Sequence, residues 1–175
     1  MTFFLTFLAI VQSFSISLGV GSSTLAIVNF FAAIADGTID AAERRMMGIV
    51  YVVLRIAMVL ILISTLLLVF AEYGTSNLLS LSAFTYGQIT VLGILYLNAL
   101  FMTLHWMPST FGPAIQAGSW YTLGTLMALL PLGLTDFSYI QFAMGYITWV
   151  VLAVSIVNGT MAIMKHQKEE RESGE

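Results

Sequence analysis

The sequence predicts an all-α fold: a polytopic membrane helix bundle with five transmembrane helices, the N-terminus outside and the C-terminus cytoplasmic. Three observations carry this. Apolar residues make up 59% of the 175-residue chain and charged residues only 9%, with a mean hydropathy of +0.95. A soluble domain carries about 25% charged residues, so this chain cannot cover a water-facing surface, and lipid must be its solvent. Five apolar stretches, 4–35, 46–71, 84–107, 112–133 and 138–164, each reach the length that crosses a bilayer as a helix, ~20 residues. Finally, five of the six Lys and Arg (Arg44, Arg45, Lys165, Lys168 and Arg171) fall in the first connection and the C-terminal tail, which five crossings place on one side. The second and fourth connections carry Glu72 and Asp136 but no Lys or Arg, which matches the positive-inside bias. A single domain, 1–164, followed by a charged cytoplasmic tail, 165–175, in the cell (inner) membrane is the expected organisation.

The first stretch begins without a basic n-region and outruns signal-peptide length, so it reads as a retained span. Small and polar residues recur along it at Gln12, Ser15, Gly19, Ser22, Ala26, Asn29 and Ala33, in steps of three and four. That is one face of a helix, and a small-residue seam on a greasy helix is a surface for close helix packing. Gly37 is a helix-stop residue, and Asp40 with Glu43 forms a capping-box pattern that opens the second helix. Asp36, Asp40 and Glu43 also fit the second half of a calcium loop, but Ala32 and Ile34 would then stand at the first ligand positions and bring no oxygen.

The second stretch carries Arg55, nine residues past Met46 and so about 13 Å into the span. An intramembrane Arg costs about 2.5–3.5 kcal/mol and needs a partner or an aqueous route. Arg55 can snorkel toward the cytoplasmic side. Either it bonds carbonyls and amides of neighbouring helices, holding the bundle in register, or it forms a positive locus in a cavity. Asn29, Asn98, Ser22 and Tyr51 are expected at broadly similar depth. Together with His105 they form the candidate polar intramembrane site, suited to a small anionic ligand. A polar connection, 72–83, leads to the third stretch, which ends at His105 and the turn Pro108–Pro113. The fourth closes at Pro131. The fifth repeats the seam of the first at Gln141, Gly145, Thr148, Leu152, Ser155, Gly159 and Ala162. The first and fifth helices are therefore expected to pack together, or one seam to be a dimer face. Trp106, Trp120 and Tyr139 are expected at the membrane interfaces. The tail is too polar to insert and is expected to lose order toward its end.

Several chemistries lack residues. With no Cys there are no disulfides, thiolate metal sites or Cys nucleophiles. No Asp or Glu lies inside the five stretches' cores, so a carboxylate proton relay has nothing to run on. Haem needs axial ligands, and only His105 of the two His lies near a span. No cofactor is predicted, neither haem nor copper, and the formal net charge of −3 gives no reason to expect nucleic acid. There is no phosphate loop, zinc-protease motif or nucleophile elbow. The lack of a placed acid–base pair weighs against an enzyme.

The pattern Leu18-Gly19-Val20-Gly21-Ser22-Ser23-Thr24, followed by Asp36-Gly37 and Ile39-Asp40 with Glu43, resembles small bacterial polytopic integral membrane proteins of uncharacterised function. Their first helix carries Gly-x-Gly-Ser/Ala-Ser/Thr. The stretch from Asn98 to His105 and Gly118-Ser119-Trp120-Tyr121 are similar as well. The resemblance implies the architecture and no reaction. Three functions stay open: a small-solute or ion-handling bundle around Arg55, a non-catalytic interaction or assembly protein that uses its seams (Gly19, Ser22 and Ala26; Gly145, Ser155 and Gly159) on a second copy or a partner helix, and a haem redox protein.

Overall fold

In the computed structural model, residues 2–36, 40–74, 81–107 and 111–173 are described. They form five helices: α1 (Thr2–Asp36), α2 (Ala41–Tyr73), α3 (Ala83–Thr103), α4 (Phe111–Leu129) and α5 (Tyr139–Ser173), with no strand among the described residues. Four of them contain segments long and apolar enough to cross a bilayer: Phe3–Ala32, Ala41–Ala71, Ala83–Thr103 and Tyr139–Met164. The chain thus fits an integral membrane protein. The 19-residue α4 is not in that set, because Gly, Ser, Thr and Gln116 dilute its apolar character.

Local chemistry sets the helix starts. At the head of α2 the Asp40 carboxylate accepts from the Glu43 amide at 2.6 Å, while the Asp40 amide donates to the Glu43 carboxylate at 3.0 Å. Both acids serve as a reciprocal cap. Ser138 and Gln141 build the same box at the head of α5, and Ser82 caps α3 by accepting from the Thr85 amide. Gly37 lies outside the described residues. At its far end α5 stays helical through Ser173, well past the apolar segment. Lys, Glu, Arg and Gln are strong helix formers, so leaving the apolar stretch does not end the helix.

The helices do not pair as the two seams suggest. α1 lies mainly against α2 and α4 and touches α5 over a short length only. Its seam is occupied all the same. Gln12 donates to the Thr65 hydroxyl of α2 at 2.9 Å, Thr24 shares a 2.7 Å hydrogen bond with Tyr121 of α4, and Trp120 packs directly on Gly19. Trp120 is 0% exposed, so it is a core residue and not an interfacial anchor, whereas Trp106 is 73% exposed and Tyr139 also lies on the surface. The seam of α5 is the opposite case: Gln141, Gly145, Thr148, Leu152, Ser155, Gly159 and Ala162 are all exposed. Nothing lies within 4 Å of where a Cβ would stand at Gly145 or Gly159.

The central helix is α4, flanked by α1, α3 and α5. Trp120 and Leu123 meet Ile16 of α1, Leu54, Ala57 and Ile61 of α2, Val91, Leu92 and Leu95 of α3, and Tyr146 of α5 in one buried cluster. The two glycines of the Gly-x-Gly motif separate structural need from mere presence. A Cβ at Gly19 would fall inside the Trp120 ring, and one at Gly21 would meet open space. Gly19→Ala is expected to destabilise by about 1–3 kcal/mol through overpacking, and Gly21→Ala to be neutral or slightly stabilising. Thermal unfolding of the two variants in one detergent checks this; equal melting temperatures would remove the Trp120 contact as the cause.

Candidate functional site

The buried polar groups among the described residues are neutral, and two of them, the amides of Asn98 and Gln116, meet where α3, α4 and α2 come together. Asn98 of α3 is buried and its amide nitrogen donates to the Gly112 carbonyl at 2.9 Å and to Gln116 Oε1 at 3.2 Å. Two thioethers flank the pair, Met102 Sδ at 3.6 Å from Asn98 Nδ2 and Met58 Sδ at 3.7 Å from Gln116 Nε2. Gly112 is needed there, since a Cβ would stand 2.6 Å from Met102 Cγ. At Met58 itself α2 is tied to α3 as well, because the Tyr96 hydroxyl donates to the Met58 carbonyl at 2.6 Å. Next to this group Ser119 and Tyr146 share a 2.8 Å bond, and Trp149 Nε1 donates to the Gly118 carbonyl at 3.0 Å.

Two buried atoms of this region have no hydrogen-bond partner, Asn98 Oδ1 and Trp120 Nε1. The Asn98 amide cannot simply turn over, because its nitrogen faces the Gly112 carbonyl and an oxygen there would be repelled. The arrangement offers one free acceptor and one free donor but no base, no carboxylate and no activated nucleophile. It can hold helices in register and bind a neutral polar group; it cannot transfer a proton.

The residues expected around Arg55 do not come together. Arg55 is exposed and makes no hydrogen bond or ion pair among the described residues. The reason is helical phase. The buried face of α2 runs Val50, Leu54, Ala57, Ile61 and Ser64, and Arg55 stands one residue, about 100°, away from that stripe. Tyr51 is exposed with it. With Gln12 opposite Thr65 across antiparallel α1 and α2, Ser22 stands at the level of Arg55, but its hydroxyl is turned to the Leu18 carbonyl at 2.6 Å. Asn29 stands at the level of Gly48, about 10 Å along the axis from Arg55. It is half-buried and its Nδ2 is an orphan. Asn98 shares the depth of Arg55 through Gln116 and Met58, on the inner side of the helix wall.

His105 lies at the end of α3, exposed, with φ 58°. Its amide donates to the Met102 carbonyl at 3.2 Å and that of Trp106 to the Phe101 carbonyl at 3.0 Å, with the Phe101 and Trp106 rings in contact at 5.9 Å. That is a Schellman cap with His at the left-handed position. Gly133 fills the same position after α4, at φ 67°. Its amide donates to the Leu130 carbonyl and the amide of Leu134 to that of Leu129, both at 3.1 Å.

Open grooves lie on two sides of the bundle. One, of about 440 Å³, runs between α4 and α5 and is lined by Thr122, Leu126, Phe137, Gln141, Phe142 and Trp149, among others. Another, of about 300 Å³, separates α2 from α3 beside Thr65 and Tyr96. Neither includes Arg55, Asn29 or Asn98. Sequence reasoning passed over Gln116, which the criterion that selected Asn98, an amide inside an apolar stretch, would have found.

Asn98→Ala is expected to destabilise by about 1–3 kcal/mol, since it strands the Gln116 oxygen. Adding Gln116→Met to Asn98→Ala should restore part of that loss. A double-mutant cycle on thermal unfolding reads this, and simple additivity would mean that the two amides do not act as a pair. His105→Gly should stabilise by about 1 kcal/mol by relieving the left-handed backbone; a lower melting temperature would give the imidazole a role that its backbone does not explain. No protein-family model, no curated protein and no solved structure matches the chain.

Proposed function

We propose that this chain is a non-catalytic assembly subunit of a membrane complex, crossing the bilayer five times with its N-terminus outside and its C-terminus in the cytoplasm. The observation that carries the reading is Arg55. It sits mid-way along α2, in a segment apolar enough to span, and is turned out of the bundle with no partner among the described residues. A charge at that depth needs an acceptor or a route to water, and an outward-facing charge finds its acceptor on another molecule. The solute-handling reading required Arg55, Asn29 and Asn98 to share a cavity. Their separation by phase and by depth takes away its support.

The outer face of α5 adds to this. Only 11% of its span segment is buried, against 44% for α3, and five of the seven exposed seam residues, Gly145, Thr148, Ser155, Gly159 and Ala162, are small. Lipid gains nothing from Gly and Ser, whereas a second helix can approach them closely.

Extraction of native membranes into lipid nanodiscs tests the proposal. The wild-type chain is expected in a particle larger than its own 19.1 kDa accounts for. Gly159→Leu, at a site with open space around it, should shrink that particle while leaving the melting temperature of the isolated chain unchanged. A wild-type chain that leaves native membranes as a monomer overturns the assembly reading.

A further inference from the structure

We infer that the outward face of α2 around Arg55 docks a transmembrane helix of a different protein, one that carries a carboxylate at the depth of Arg55. The inference rests on the assembly reading and names the chemistry of the partner. On this face Gly48, Tyr51, Val52, Arg55 and Val59 follow one another at helical spacing, and all are exposed. A helical side chain leans toward the N-terminus of its helix, which takes Arg55 over the turn that holds Tyr51 and Val52. One turn further, Gly48 leaves open space on the same face. A charge beside a notch suits a helix that approaches closely and offers one acceptor group.

The charge inventory of the chain excludes a second copy as the occupant. Its nine acids are Asp36, Asp40, Glu43, Glu72, Asp136, Glu169, Glu170, Glu172 and Glu175. Of these only Glu43 lies within a helix segment Phe3–Ala32, Ala41–Ala71, Ala83–Thr103, Phe111–Leu129 or Tyr139–Met164, at the head of α2, where it accepts from the Asp40 amide twelve residues before Arg55. A symmetric dimer through this face would set Arg55 against Arg55, because a two-fold interface presents the same patch twice. Lipid phosphate is the weaker acceptor on grounds of reach. Arg44 and Arg45 mark the headgroup level, and Arg55 starts ten residues further on, about 15 Å deeper along the helix.

The test uses the full-length chain in phosphatidylcholine vesicles, with a synthetic Leu/Ala helix of about 20 residues as the probe. The probe carries one central Glu, with Gln and Lys versions as controls, and association is read by energy transfer between donor and acceptor labels. The Glu helix is expected to bind about tenfold more tightly than the Gln helix, the scale of a strong polar contact between membrane helices. The Lys helix should bind more weakly than either. Arg55→Gln should erase the Glu preference, and Arg55→Lys should keep part of it. Val59→Trp, which leaves the charge in place but crowds the face, should weaken binding of all three probes, and helicity and melting temperature confirm that each variant is folded. Equal binding of the Glu and Gln helices overturns the inference. So does energy transfer between copies of the chain that Arg55→Gln abolishes, which would make a second copy the partner. Loss of the Glu preference when phosphatidylglycerol is added would assign Arg55 to lipid phosphate and overturn it too. A native complex that persists while the Glu preference fails removes the carboxylate and leaves the assembly reading standing.

Discussion

The contact on which the bundle depends is that of the Trp120 ring with Gly19. In lipid, apolar surface gains little by leaving the solvent, so helix association rests on close packing and on hydrogen bonds between helices. A fully buried Trp against a position without a Cβ lets the ring of α4 lie directly on the backbone of α1, and neighbouring contacts follow from it. Gly124 would carry a Cβ 3.3 Å from Val20 one turn further along, and the Thr24 and Tyr121 hydroxyls meet on the other side. The arrangement has a cost, since Trp120 Nε1 is left without an acceptor in the core. The position of α4 also explains its composition. Surrounded by α1, α3 and α5, it meets little lipid and can afford the Gly, Ser, Thr and Gln residues that its neighbours cannot.

Polarity is distributed in a way that bears directly on function. Most seam hydroxyls are satisfied within their own helices: Ser15, Ser22, Ser23 and Thr24 all donate to carbonyls three or four residues back. Such bonds let a hydroxyl sit in an apolar setting without a partner on another helix, so they indicate neither catalysis nor binding. The polar contacts between helices, such as Gln12 with Thr65, Thr24 with Tyr121, Asn98 with Gln116 and Ser119 with Tyr146, involve neutral groups among the described residues. The charged group, Arg55, is outside. A carrier or channel is organised the other way, with its charge facing a cavity and its apolar residues facing lipid.

Features fixed by a few adjacent residues were legible in the sequence, and features fixed by helical phase were not. The Asp40–Glu43 cap is a local pattern, and its two hydrogen bonds are present as read. The count of five helices was legible too, although only four of them carry a segment long and apolar enough to span. The azimuth of Arg55 and the burial of Trp120 depend on which side of each helix faces the bundle. A helix that is apolar all round carries almost no moment to show this. The small-residue steps gave a face for α1 and a face for α5 but not a partner for either, and the same pattern ended buried on one helix and exposed on the other. The two Schellman caps show the limit at a single residue. Gly133 announces a left-handed turn in any sequence, while His105, in the same conformation, reads as a ligand.

Exposure carries a different meaning in this chain than in a soluble one. Phe3, Phe14, Phe70, Ile140 and Ile163 all stand more than half exposed, and in a bilayer that is their solvated state. What a lipid-facing surface should not show is a charge at mid-span or a run of small residues that forgoes contact with acyl chains. Among the described residues the surface shows both, on α2 and on α5, and three buried polar atoms of the interior lack a partner. Inward groups that lack partners ask for a water or a small solute, whereas outward groups that lack partners ask for another molecule of similar size to the helix that bears them. The weight of the unmatched chemistry lies outward, and it is carried by two faces on different helices. On the assembly reading proposed above, two such faces let the chain join two neighbours at once.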